Sequence, residues 1–312
     1  MKLLKKEIFN QIQAWVYRNA RYVEITWWKY LFENGRKEDV VHALSFYRNE
    51  DGGFGNGLEP DCSNPNSSPV TTQMAYSRLL SVGCDNKEHP MIQGIIRYLE
   101  NSEYFTEHGW YWSIPSNNDY PCQPWYYFPN APWFPNDWSV ENYVNGNLIA
   151  FILKYFDKNH ELYQKALRVI DYRLPLMEKF ADFCSFTNEW NQESIEANDW
   201  VTLIEALAEY QIKSCEECHR LATRFMEIVD TFAIPEVRIE IRRRIEKRKL
   251  TEEELDSIVD KLSNNRIWTE NGLKQYVSDE KREPIYPIVE VWWQLISAID
   301  DLKILKEYGR LE

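Results

Sequence analysis

The chain has 312 residues, 44% of them hydrophobic, enough to bury a full core in one large domain or two ordinary ones. Its net charge of −13, from 49 acidic and 36 basic residues, repels phosphate backbones and anionic lipid and argues against nucleic-acid binding. No apolar run approaches the length of a membrane span, and the opening segment meets Glu7 and Asn10 before an apolar stretch develops, so the expectation is a cytoplasmic protein with no stable membrane insertion.

Helical periodicity dominates from the first residues. Ile8, Ile12, Trp15 and Val16 share one face, and Val40, Val41, Leu44 and Tyr47 share the next. A glycine-rich turn follows (Gly52, Gly53, Gly55, Gly57), leading through Glu59 and Asp61 into a stripe of Met74, Ala75, Leu79 and Val82 that Gly83 should stop. Ile92, Ile95, Ile96 and Leu99 form another stripe, and Val140, Val144, Leu148, Phe151, Ile152 and Tyr155 the clearest one. Later stripes centre on Leu167 and Ile170, on Leu203 and Leu207, on Leu221 and Phe225, and on Leu295 and Ile299. No run alternates as a strand would, so the fold class expected is all-α.

Two segments depart from this pattern. Residues 105–138 hold six prolines and the tryptophans Trp110, Trp112, Trp125, Trp133 and Trp138, within a chain that is 15% aromatic. A loop of that length is usually functional or disordered, and its aromatic content opposes disorder. Trp110, Trp112, Trp125, Tyr126 and Trp133, with Trp200 from a later helix, are the candidates to line a ligand cavity, where aromatic faces suit isoprenoid cations and sugar rings alike. The alternative is a plug that buries its own aromatics. Residues 236–263 form a charged helical segment whose basic run, from Arg242 to Lys249, reads as a solvated flank, followed by a capping box of Thr251 and Glu254.

The carboxylates Glu59 and Asp61 are candidate acid/base groups, because paired carboxylates push their pKa values apart; the alternative is that they bind turn amides or cap the next helix. Asp119, beside Asn117 and Asn118, is the third candidate, as a polar group able to face a cavity. The six cysteines are spread along the chain, and reduced thiols are expected. Scattered histidines give no local metal signature, the haem-like Cys215–His219 spacing sits at a helix start, and the cofactor is left unknown. The turn at Phe46–Phe54 has a weak echo at Tyr98–Asn101 followed by Gly109 and Trp110, with fainter versions at Phe186–Trp190 and Trp268–Gly272; such spacing suits stacked helical hairpins.

The sequence Asp51-Gly52-Gly53-Phe54-Gly55 after an aromatic helix end resembles the repeat of squalene and terpene cyclases and of protein prenyltransferase β-subunits, with Arg48 where that repeat usually has Gln. A closer resemblance, to a family of uncharacterised bacterial proteins with prenyltransferase-like repeats, covers Arg21–Gly35, Phe46–Ser68 and Ile114–Pro121. Where that family typically continues His-Ala-Pro-Trp-Trp, this chain has Cys122-Gln123-Pro124-Trp125-Tyr126. The resemblance implies a single α/α toroid over 1–312, of roughly five to six hairpins, holding an apolar or isoprenoid-type small molecule in a central cavity. A carbohydrate-active toroid and a non-catalytic binding or scaffold protein are the alternatives, since the cyclases' Asp-x-Asp-Asp motif is missing.

Overall fold

The computed structural model describes residues 1–129, 145–184, 192–232, 235–265 and 287–312. Among them there are twelve α-helices, two short 3-10 helices and no strand beyond three isolated bridges. The chain divides into two compact units: the first comprises Met1–Arg48, Leu79–Cys84 and Leu250–Glu312, and the second Asn49–Arg78 and Asp85–Lys249. The all-α expectation holds for the described residues.

The first unit contains α1 (Lys6–Asn19), α2 (Tyr22–Phe32), α3 (Lys37–Ser45), α11 (Glu252–Asn264) and α12 (Pro287–Glu307). The stripe Ile12, Trp15 and Val16 is buried because three- and four-residue spacing stacks these side chains on one face of α1. α1 packs on α2 and α12, and α11 on α12. Glu24 accepts from the Arg21 backbone N–H at 3.2 Å and from its guanidinium at 2.6 Å, while that guanidinium lies 4.9 Å from the Trp292 ring. The Thr251–Glu254 capping box forms as expected at the start of α11.

The second unit carries most of α4 (Pro69–Ser81), then α5 (Pro90–Asn101), α6 (Gly146–Tyr155), α7 (Glu161–Cys184), α8 (Gln192–Glu209), α9 (Cys215–Phe232) and α10 (Pro235–Glu246). α8 packs against α6, α9 and α10, and α7 against α6 and α9. Leu148, Phe151, Ile152 and Tyr155 of the clearest predicted stripe are all buried, Phe151 meeting Tyr76 edge-on at 4.8 Å; Val140 and Val144 lie outside the described residues. Gly83 ends α4 with φ +66°. The basic run of 236–263 is engaged locally: Arg242 pairs with Asp230 and Glu246, and Arg244 with Glu205. The repeat-like segments Phe186–Trp190 and Trp268–Gly272 lie outside the described residues.

Candidate functional site

The glycine turn is built first. Asn49 N–H donates to the Gly53 carbonyl at 2.9 Å, and Gly52 N–H returns to Asn49 at 3.0 Å, closing a tight loop after α3. Gly52 has φ +93°, and a Cβ there would stand 2.2 Å from the carbonyl oxygen of Gly94 on α5, so only glycine lets the turn reach the helix. A Cβ on Gly55 would meet the Pro65 oxygen at 2.3 Å. The turn is held to the entry of α4: Asp51 accepts from Gly53 N–H (2.9 Å) and the Ser67 hydroxyl (2.8 Å), and Phe54 N–H donates to Thr72 Oγ1 (3.1 Å). Ser68 caps α4, its Oγ accepting from Thr71 N–H at 3.1 Å. Asp51 and Ser68 thus serve the turn and the cap, and Glu59 and Asp61 lie on the stretch between them.

That stretch meets the aromatic loop directly. Ser63 N–H donates to Pro121 (2.9 Å) and Gln123 N–H to Asp61 (2.8 Å), making Cys62 and Cys122 an antiparallel bridge pair. The Trp125 indole Nε1 donates to Asp61 Oδ2 at 3.2 Å. Tyr126 is buried near Glu59, and burial together with the Glu59 and Asp61 charges pushes its pKa well above the ordinary tyrosine value. Trp112 stacks on Tyr126 at 5.2 Å with the rings 8° from parallel, and its indole donates to the Trp125 carbonyl at 3.0 Å.

Behind this contact lies a polar knot centred on Asn117, which is 3% exposed. Its Oδ1 accepts from Asn64 Nδ2 at 2.7 Å and faces the Cys62 sulfur at 3.4 Å; its Nδ2 donates to Ser113 Oγ at 3.1 Å. The Cys122 sulfur sits 3.5 Å from the Asn117 carbonyl, and the Ser113 hydroxyl donates to the Tyr126 carbonyl. The Cys62 thiol donates to Asn117 Oδ1 and the Cys122 thiol to the Asn117 carbonyl; the neighbouring sulfur, ahead of burial, raises the Cys62 pKa, and Cys62 lowers that of Cys122 against the opposing effect of burial.

The predicted residues therefore separate. Glu59, Asp61, Trp112, Trp125 and Tyr126 come together. Asp119 closes the 3-10 helix Pro115–Asp119 and is exposed. Trp110 is fully buried, stacked on Phe105 at 4.1 Å, and so presents no surface to water. Trp200 is buried on α8, and Trp133 lies outside the described residues. Trp125 remains only partly buried. The 112–126 portion of the aromatic loop is in hydrogen-bonded contact with Asp61 of the stretch after the glycine turn. Asn117, Asn64 and the Cys62–Cys122 pair were not singled out from sequence. One available signal was Pro115, which opens a 3-10 turn whose three-residue period puts Asn117 on the side of buried Ile114. Among the described residues no group of three or more His, Cys, Asp or Glu is placed to hold a metal ion.

No protein-family model, curated protein or solved structure matches this chain. Fold and site together define an all-helical protein with a carboxylate–aromatic junction in its second unit, and among the described residues no helix is long and apolar enough to cross a membrane.

Proposed function

We propose that this chain is an α/α toroid protein of the terpene cyclase and prenyltransferase type, binding a small apolar or cyclic ligand on the face where Asp61 and Trp125 meet. The observation that carries the reading is the direct joining of the turn's carboxylate to the loop's aromatics: Asp61 bonds Trp125 at 3.2 Å, with buried Glu59 and Tyr126 close by. The close seating of the Gly52 turn on α5 supports the hairpin repeat that the toroid requires. In this proposal Trp125 is the platform, Asp61 orients it and offers its carboxylate to the ligand, and Glu59, buried behind Tyr126, is the second carboxylate of an acid/base pair in unlike surroundings. The acidic chain works in the cytoplasm without nucleic acid, consistent with its net charge.

A second reading, a sugar-type ligand, is favoured by one specific feature. Trp125 is a partly exposed indole flanked by a carboxylate, the arrangement that stacks a sugar ring while accepting its hydroxyls. Native mass spectrometry of the protein purified from its source cells separates the two. A retained lipid-like mass that disappears in Trp125→Ala supports the isoprenoid reading, and a polar oligosaccharide mass lost in the same variant supports the sugar reading. Retention of either mass unchanged in Trp125→Ala would remove this face from the proposal.

A further inference from the structure

Cys62 and Cys122 occupy facing positions in a short antiparallel pairing. The flanking bonds, Ser63 N–H to Pro121 and Gln123 N–H to Asp61, leave the two cysteines as a pair whose own N–H and C=O groups do not cross-bond. Facing residues of this non-hydrogen-bonded kind have Cα atoms about 4.5 Å apart, within the roughly 4.4–6.8 Å span that a disulfide tolerates. The two thiols are free and buried, and both are hydrogen-bonded to Asn117. Cys84 is also buried, whereas Cys215 is exposed at the start of α9. Neither belongs to this bridge.

We propose that Cys62 and Cys122 are a redox modification site, converted by hydrogen peroxide into an intramolecular disulfide that fastens the Glu59–Ser63 stretch to the Pro121–Tyr126 stretch. Cys122 is the attacking sulfur, because the neighbouring Cys62 lowers its pKa and so favours its thiolate. The Cys122 thiolate attacks one peroxide oxygen, the O–O bond breaks, and the departing hydroxide takes up a proton to leave as water, giving a sulfenic acid. The Cys62 sulfur then attacks the Cys122 sulfur; the S–O bond breaks and the hydroxide leaves as a second water with the Cys62 proton. Two thiols lose two electrons and two protons, and one peroxide becomes two waters. A dithiol reductant reverses the reaction by exchange. Peroxide is small enough to reach sulfurs that are almost entirely covered, and Asn117, which touches both, holds them in register. The proposal is independent of which ligand the neighbouring face binds.

The test treats the reduced full-length protein with hydrogen peroxide, blocks remaining thiols under denaturing conditions and maps the peptides by mass spectrometry. The expected result is a crosslinked species joining the Cys62 and Cys122 peptides, two hydrogens lighter than their sum and removed by dithiothreitol. In Cys62→Ser the resolving sulfur is missing, so a dimedone adduct should accumulate at Cys122, whereas Cys122→Ser should give none at Cys62. Because the wild-type map needs no variant to fold, it decides by itself. Recovery of both peptides as free thiols while Cys215 is oxidised would overturn the proposal, as would conversion of either cysteine to sulfinic acid without any crosslink.

Discussion

The Trp125 indole nitrogen donates to the Asp61 carboxylate at 3.2 Å, across a stretch of sequence long enough to contain two helices. A hydrogen bond to a charged acceptor contributes about 1.5–3 kcal/mol where it is shielded, and less here because both side chains are partly exposed. Asp61→Ala is expected to cost about 1 kcal/mol in urea unfolding and to change Trp125 emission. It should weaken ligand retention more than it weakens the fold, whereas an equal loss of both would mark Asp61 as structural.

Asn117 should matter more to stability than any of the predicted carboxylates. Replacing it with Ala takes one partner each from the buried Asn64 amide, which keeps Ser116, and the Ser113 hydroxyl, which keeps the Tyr126 carbonyl, at a cost of about 1–3 kcal/mol. Exposed Asp119, changed to Ala, should stay within about 0.5 kcal/mol of the parent. Urea midpoints of the two variants check the ranking.

Gly52 and Gly57 offer a paired comparison. Both have positive φ, +93° and +71°, but a Cβ on Gly52 would collide with the Gly94 backbone at 2.2 Å, while on Gly57 its nearest neighbour would be 3.8 Å away. Gly57→Ala therefore carries only the left-handed penalty of about 1–2 kcal/mol, and Gly52→Ala that penalty plus displacement of the turn from α5. Thermal unfolding of the two should order them so, and equal losses would show that the turn gives way freely.

Stability should fall at both pH extremes for a reason located in the first unit. Tyr17 is exposed, yet partial desolvation and its hydrogen bond to Glu33 push it up to about 12; for Glu33, also exposed, desolvation raises the pKa and hydrogen bonds from Tyr17, Gln13 and Trp28 outweigh that, lowering it on balance. A raised folded-state pKa contributes stability that is whole below the unfolded value of 10.0 and is lost as pH climbs towards 12. For Glu33 the sign reverses, and its contribution is present above the unfolded value of 4.5 and lost as pH falls through the lower folded value. Tyr17→Phe should flatten the alkaline arm measured by chemical denaturation and retain most of the acid arm. An unchanged alkaline arm would assign it to other tyrosines.

The helices were legible because burial follows their period. The stripe of α1, the stop at Gly83 and the capping box at Thr251 each depend on neighbours within one or two turns. The carboxylates Glu59 and Asp61 were legible as chemistry, but their partners were not, since Trp125 and Tyr126 reach them only after the chain has returned through α4 and α5. Among the tryptophans, composition could not separate buried Trp110 and Trp112 from half-covered Trp125, because irregular backbone imposes no repeat from which facing could be read. Asn117 was hidden within the polar run Ser116–Asp119, of which it alone is buried. Cys62 and Cys122 were two of six cysteines with nothing local to pair them.

The knot that ties the glycine turn to the start of α4 also bears on the order of assembly. Asn49, Asp51 and Phe54 find their partners Ser67 and Thr72 within a short chain segment, and short loops close at the smallest entropic cost. The Asn49–Thr72 segment should therefore organise early and stand ready as a template on which the later, more distant Ser113–Tyr126 segment settles. In pulse-labelled hydrogen exchange during refolding, the amides of Phe54 and Ser68, bonded to Thr72 and Phe54 respectively, should gain protection before those of Ser63 and Gln123, whose partners lie in a segment distant in sequence.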